Sequence, residues 1–180
     1  MKTLIIVDVQ HDFLPGGALG IPGSDAIIPV INRILPKFEH VFATQDWHPP
    51  KHVSFASLWP EHCIQNSYGA ELSVALHQDQ IEEVFQKGTD LNIDSYSAFF
   101  DNERKRSTGL ADVLRKKHLK ELYFVGLATD YCVLYSVLDA IQLGFQTWVI
   151  KDACRGIGDE EKALRTMQSK GARIILSTHI

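Results

Sequence analysis

The sequence has only three cysteines, at positions 63, 132 and 154, an odd number with no Cys-x-x-Cys pair. That excludes a disulfide framework and a structural zinc ribbon, so each thiol needs its own explanation. It also lacks a long apolar run: Leu4 to Val7 is broken by Asp8 and followed by Gln10, His11 and Asp12. Such a run is too short for a signal peptide or a membrane span, and a cytoplasmic chain without membrane contact is expected. Strong charge of one sign is missing too. The formal net charge is -4, and the short basic stretches Arg104 to Arg106 and Arg115 to Lys117 read as solvated faces, so nucleic acid is not an expected partner. No Pro, Gly or Ser tract marks a linker or tail, and no internal repeat is present. The glycines at 16, 17, 20 and 23 do not follow a strand directly or match G-x-G-x-x-G, which argues against a phosphate cradle.

What is present is a balance of 45% hydrophobic and 22% charged residues over 180 positions, as expected of one domain spanning 1–180 with a single core. Short runs rich in Val, Ile, Leu and Phe at 3–9, 40–44, 82–86, 122–125, 147–150 and 173–176 predict six strands. Between them, 24–38, 108–118, 129–143 and 159–170 carry helical periodicity. Ser24, Thr108 and Thr129 stand as N-caps, with Gly144 and Gly171 as stops. Pro29 predicts a later start for the first helix. Strand and helix alternate, which predicts an α/β fold with a mainly parallel sheet covered on both faces. Ligands in such folds bind beyond the carboxyl ends of the strands, so Asp8, Gln10, Asp46, His48, Lys87 and the segment from Thr129 to Cys132 draw the eye. The stretch from His48 to Ile81 is long and irregular, the pattern of a functional loop.

Cys132 falls where an apolar strand turns into a helix. A thiol there feels the positive end of the helix dipole, which lowers its pKa, and the N–H groups near Ala128 and Cys132 are suited to receive an oxyanion. The alternative is a small buried thiol on an amphipathic helix. Asp8 and Lys87 end two strands, and charges so placed require partners. Joined to Cys132 they make a general acid-base, a charge-balancing ammonium and a nucleophile; alone they make a salt bridge beside a bystander cysteine. Asp46 and His48, one residue apart, point to the same side of an extended chain. With His62, and with His52 as a further candidate, they offer oxygen and imidazole donors suited to one divalent metal ion, zinc foremost, with iron or manganese as alternatives. A merely polar loop is the competing reading. Cys63, next to His62, diverges from it, and Cys63 and Cys154 read as structural thiols.

With these residues in view, the sequence resembles the nicotinamidase/pyrazinamidase family of isochorismatase-like hydrolases. The resemblance rests on Asp8-Val-Gln-His-Asp-Phe13, Pro15-Gly-Gly-Ala-Leu19, Thr44-Gln-Asp-Trp-His48, Trp59-Pro-Glu-His-Cys63, Lys87-Gly88, Tyr96-Ser97 and Gly126-Leu-Ala-Thr-Asp-Tyr-Cys132, in the family's order. It implies a three-layer α/β/α sandwich around a six-stranded parallel sheet. It implies a triad of Asp8, Lys87 and Cys132, a cis peptide between Leu127 and Ala128, and an oxyanion hole from the Ala128 and Cys132 N–H groups. Metal ligation by Asp46, His48 and His62 is implied as well, with His52 used by only some members. Phe13, Leu19, Trp59 and Tyr96 would line the pocket, with Tyr131 at its rim. The implied reaction is hydrolysis of nicotinamide to nicotinic acid and ammonia, a step of NAD salvage, with pyrazinamide as a second substrate. A superfamily amidase acting on a ureido or carbamoyl compound is the alternative. A homo-oligomer is compatible with all of this.

Overall fold

The computed structural model describes residues 1–56 and 58–180. Six strands, β1 (Lys2–Val7), β2 (His40–Asp46), β3 (Glu83–Lys87), β4 (Glu121–Leu127), β5 (Gln146–Arg155) and β6 (Arg173–Ile175), form one sheet in the order β3-β2-β1-β4-β5-β6. Every pairing is parallel. The order reverses direction between β1 and β4, and the crevice beyond the carboxyl ends of those two strands is where a doubly wound sheet can admit a ligand. Asp8 follows β1, and the turn leading to Cys132 follows β4. The fold thus places two of the noted residues at its natural opening.

Two apolar layers flank the sheet. Leu4, Ile6, Val41 and Val125 face α1 (Ile27–Ile34), whose Ile27, Ile28, Ile31 and Ile34 are buried. Their spacing puts them on one helical stripe, and burial of each stabilises by about 1.5–3 kcal/mol. Cys63, Ala70, Leu72 and Leu76 of the long loop complete this layer, which explains how an irregular segment holds its course. Ile5, Val7, Phe42 and Phe124 face the other layer, formed by α2 (Leu110–Lys116), α3 (Leu134–Gln142) and α4 (Glu160–Ser169). The expected alternation and both covered faces are therefore present.

Several boundaries differ from the sequence-based expectation. The stretch 24–38 splits into a 3-10 turn (Ser24–Ala26), α1 and a second 3-10 turn (Leu35–Lys37). The later start at Ile27 follows the position of Pro29, whose missing N–H falls within the first turn, where none is needed. Ser24 is not a cap; its hydroxyl donates to the Phe13 carbonyl at 2.9 Å. The N-cap of α2 is Gly109, at φ 91°, while the Thr108 hydroxyl is drawn to the Ala98 carbonyl at 2.7 Å. Thr129 lies inside a π-helical turn (Thr129–Val133) that precedes α3, and its hydroxyl reaches Glu160 at 3.0 Å. At Ser24 and Thr129 a tertiary partner outcompetes the local N–H, whereas the Thr108 hydroxyl also accepts the Leu110 N–H at 3.3 Å. No helix among the described residues is long and apolar enough to cross a membrane.

Candidate active site and metal centre

β1 ends at Val7, and Asp8 takes a left-handed backbone conformation, φ 51°, that is uncommon for a residue with a side chain. β4 runs so close beside it that a Cβ on Gly126 would lie 2.1 Å from the Val7 carbonyl oxygen, so only glycine fits there. This close approach brings the two chain ends together. The Leu127–Ala128 peptide is cis, as the family resemblance implies.

The Lys87 ammonium sits between three groups. It lies 2.9 Å from Asp8 Oδ2, 2.5 Å from Asp46 Oδ1 and 3.4 Å from Cys132 Sγ, and it donates to the Ser95 carbonyl at 3.1 Å. Asp8, Lys87 and Cys132 are all buried. The Thr44 hydroxyl donates to Asp8 Oδ1 at 2.7 Å. Asp8 Oδ2 faces the Lys87 ammonium, and an Asp8 oxygen, an Asp46 oxygen and the Cys132 sulfur all lie within 4.8 Å of one another.

Burial pushes the Asp8 carboxyl upward and prevails over Lys87, which pulls it down. For Lys87 the balance is reversed: burial opposes its charge, but Asp46 and Asp8 hold it well above the ordinary lysine range. Asp46 is held well below the carboxylate range because Lys87, His48 and His62 together outweigh its burial.

Cys132 corrects the sequence-based expectation of a depressed thiol pKa. Burial pushes the thiol well above its ordinary value; Lys87 opposes that, and Asp8 and Asp46 add to it. A helix start cannot offset full desolvation beside two carboxylates. The π-helical turn also means that Cys132 is not in the first turn of a regular helix. Burial therefore favours the protonated thiol, beside the buried Asp8 carboxyl.

Asp46 also faces a second cluster. Its Oδ2 lies 3.4 Å from His48 Nε2 and 3.9 Å from His62 Nε2. Both imidazoles are oriented through their other nitrogen, His48 Nδ1 to the Gly88 carbonyl at 2.8 Å and His62 Nδ1 to the Pro60 carbonyl at 2.7 Å. Backbone carbonyls commonly fix metal-binding histidines in this way, and the donor separations suit bonds of about 2.0–2.2 Å to one ion. The three residues fit a divalent metal. Gly88, at φ 63°, is required, since a Cβ would lie 2.4 Å from the His48 ring. Gln10 braces the centre, donating to the Asp46 carbonyl at 2.8 Å and accepting from the Asp46 N–H at 2.9 Å.

His52 is buried, with its ring stacked on His48 at 4.1 Å. Its Nδ1 meets the Ser54 hydroxyl at 2.7 Å, and its ligand atoms group with His48 and Asp94, not with Asp46 and His62. Cys63 is buried and its N–H donates to Asp12 at 2.7 Å, which gives its neighbourhood a structural reason.

A cavity opens onto both clusters. Phe13, Leu19, Trp59, Tyr96 and Tyr131 line it together with Asp46, His62, Ala128 and Cys132. Trp59 and Tyr131 meet edge to face at 5.0 Å, and the Trp59 N–H donates to the Tyr96 hydroxyl at 3.3 Å, so the walls brace one another. Ile21, Asp94 and Ile157 line it as well. Sequence reading missed these three. Ile21 continues the loop that carries Leu19 and was within reach, but Asp94 and Ile157 sit in segments without periodicity.

A cysteine, a carboxylate and a lysine at the switch point of a parallel sheet, beside an aspartate and two histidines, define a class, and the chain belongs to the isochorismatase domain family, whose model matches residues 2–179. Within that family it is similar to nicotinamidases. It is 45% identical to the nicotinamidase of Escherichia coli (strain K12), over 96% of this chain and 93% of that one. Its fold superposes with a TM-score of 0.95 on PnC1 of L. infantum in complex with nicotinate, at 36% identity, covering 99% of this chain and 93% of the other. The pyrazinamidase of Pyrococcus horikoshii in complex with zinc gives 0.88 at 41% identity, covering 97% and 98%.

Proposed function

We propose that this chain hydrolyses nicotinamide to nicotinic acid and ammonia, with Cys132 as nucleophile, Asp8 as general acid-base and Lys87 as the cation that holds them together. The observation that carries this reading is the buried group of Asp8, Lys87 and Cys132 opening onto an aromatic cavity that also exposes Asp46 and His62. The likeness to nicotinamidases along nearly the whole chain supports it. A flat heteroaromatic amide suits walls made of Phe13, Trp59 and Tyr96.

In the proposed reaction Asp8 Oδ2 takes the Cys132 proton and the sulfur attacks the carboxamide carbon. The Ala128 and Cys132 N–H groups receive the oxyanion. Asp8 passes the proton to the departing nitrogen, ammonia leaves and a thioester remains. A water then gives its proton to Asp8 and attacks the thioester, and the acid departs as the thiol regains its proton. Lys87 stays charged throughout, since its raised pKa makes it a poor proton donor. A divalent ion on Asp46, His48 and His62, zinc foremost with iron or manganese as alternatives, would supply a coordination position for the ring nitrogen and withdraw electron density from the ring. His52 is proposed to orient His48 by stacking.

The reading treats residues 1–180 as one hydrolase domain working in the cytoplasm; the unpaired thiols at 63, 132 and 154 suit a reducing compartment. Ammonia release from nicotinamide, pyrazinamide and several ureido compounds tests it. Turnover of both aromatic amides is expected; turnover of a ureido compound alone would transfer the assignment to a carbamoyl amidase.

A further inference from the structure

Among the described residues that line the cavity, Ile157 is the only one that follows Cys132 in the chain. β5 carries the backbone to Arg155, and the turn of Gly156, Ile157 and Gly158 then brings the Ile157 side chain, 44% exposed, to the mouth. That turn is fastened from below. Asp130, two residues before Cys132, accepts the Ile157 N–H on Oδ1 at 2.9 Å and the Gly158 N–H on Oδ2 at 2.6 Å. One carboxylate thus uses both oxygens on successive backbone donors, a charge-assisted pair that fixes both position and angle. The glycines on either side permit it: a Cβ on Gly156 would lie 2.4 Å from Glu160 Cγ and 3.0 Å from Asp130 Oδ1, and one on Gly158 would lie 3.2 Å from Asp130 Oδ2. Arg155 Nε donates to the Pro22 carbonyl at 3.2 Å, tying the same turn to the loop that carries Leu19 and Ile21.

We infer that Ile157 is a specificity-determining residue that limits substituents on the ring bearing the carboxamide, and that Asp130 is the positioning residue that holds it over the mouth. The inference rests on the aromatic-amide reading above. Ile157 lines the same cavity as Cys132, Asp46 and His62, but from a half-exposed turn, so its side chain is placed to meet the substrate ring and not to supply a reacting group. Shortening it widens the mouth without removing a reacting group. Asp130 sets the same distance indirectly, because its two bonds fix the backbone from which Ile157 projects.

The test uses the full chain and compares kcat/KM for nicotinamide with that for its 5-methyl and 6-methyl derivatives in the parent, Ile157→Ala, Ile157→Phe and Asp130→Asn proteins. Ile157→Ala should raise the methylated-to-parent substrate ratio about tenfold for at least one derivative, and Ile157→Phe should lower it. Asp130→Asn replaces one accepting oxygen with a donor, so it should move the ratio in the same direction as Ile157→Ala, with KM for nicotinamide rising more than kcat falls. Unchanged ratios in both Ile157 variants, with nicotinamide turned over by the parent, would overturn the inference and leave the amidase reading standing. No ammonia from nicotinamide in the parent overturns both. Should Asp130→Asn fail to fold, the two Ile157 variants decide the mouth assignment, because that side chain is half exposed; a folded Asp130→Asn with the parental ratio refutes the positioning role.

Discussion

Asp8→Asn preserves size at a completely buried position while removing a charge and a proton acceptor. The Asn oxygen can keep the Thr44 hydroxyl that Asp8 Oδ1 accepts at 2.7 Å. Its amide nitrogen then stands where Oδ2 stood, 2.9 Å from the Lys87 ammonium, so a donor faces a donor. Lys87 retains Asp46 and the Ser95 carbonyl, which limits the structural damage. Catalysis has no such reserve. Proton transfer by a placed acid-base contributes about 10²-fold to 10⁴-fold, and the reaction uses Asp8 in both halves, so ammonia release should fall by at least about 10²-fold.

Stability should respond differently. Burial raises the Asp8 pKa above its ordinary value, so the folded chain binds that proton more tightly than the unfolded chain does. As pH rises from the ordinary carboxylate range through the folded pKa, this group progressively costs the native state stability. Asn carries no such cost. The lost ion pair offsets the gain in part, and the melting temperature at pH 7 should stay within about 4 °C of the parent or rise. The thiol supplies a third readout: removing Asp8, which pushes the Cys132 pKa up, should make Cys132 alkylate faster than the parent at pH 6. Ammonia assays, thermal melts and iodoacetamide labelling from pH 5 to 9 cover all three. Near-parental turnover would refute the reasoning outright, and labelling slower than the parent would refute the electrostatic part of it.

Lys87→Met leaves Asp8 and Asp46 without their shared cation and should cost about 3–5 kcal/mol, a melting temperature lower by roughly 6–20 °C, read by calorimetry. Because Lys87 is raised above its ordinary pKa, its contribution in the parent should be fully present through neutral pH and begin to fade only once alkaline pH passes the ordinary lysine value, so melts from pH 7 to 11 should show it undiminished until the upper end of that range. His62→Ala, or removal of bound metal by a chelator, should cut nicotinamide turnover at least about 10²-fold while Cys132 still alkylates; elemental analysis reports the metal, and loss of labelling would contradict the separation of the two roles. Gly88→Ala forces a Cβ against the His48 ring, and metal content should fall with it, whereas a variant with full metal and full activity would show that the ring can move aside.

Much of the architecture was legible because its signals are local. Unbroken apolar runs such as Leu4 to Val7 and Leu122 to Val125 announce strands buried on both faces, and their order with the intervening helical patterns implies a parallel sheet. The placement of Asp8 was legible for a related reason, as a polar residue that closes an apolar run, whereas Asp46 and Lys87 end strands already polar at Gln45 and Gln86. Strand order was not, since nothing in β1 specifies β4 as its neighbour, and that adjacency is what joins Asp8 to Cys132. The caps at Ser24 and Thr129 misled for the opposite reason, as each has a tertiary partner invisible in the local sequence. The Cys132 pKa failed because a helix start can be read from sequence, while the burial that overrides it cannot. Asp94 and Ile157 escaped because their segments follow no period.

Asp46 links what the sequence presents as two separate motifs. One of its oxygens meets Lys87 and the other faces His48 and His62, so a single buried carboxylate belongs to both the nucleophile's charge balance and the metal-binding cluster. Two carboxylates against one ammonium leave an excess negative charge in a dry site, and burying such a charge is costly unless cations answer it. His48 answers part of it: burial alone would lower its pKa, yet Asp46 raises it. A divalent ion at the same place would answer more fully and would also displace that proton, since a ligating imidazole must be neutral. A metal ion bound there and the charge state around Cys132 would therefore be coupled through one side chain, even though the proposed reaction sets the ion and the sulfur at different ends of the substrate. The short Lys87 contact makes the coupling direct, and Gln10, bonded to both backbone groups of Asp46, fixes the backbone from which the carboxylate projects.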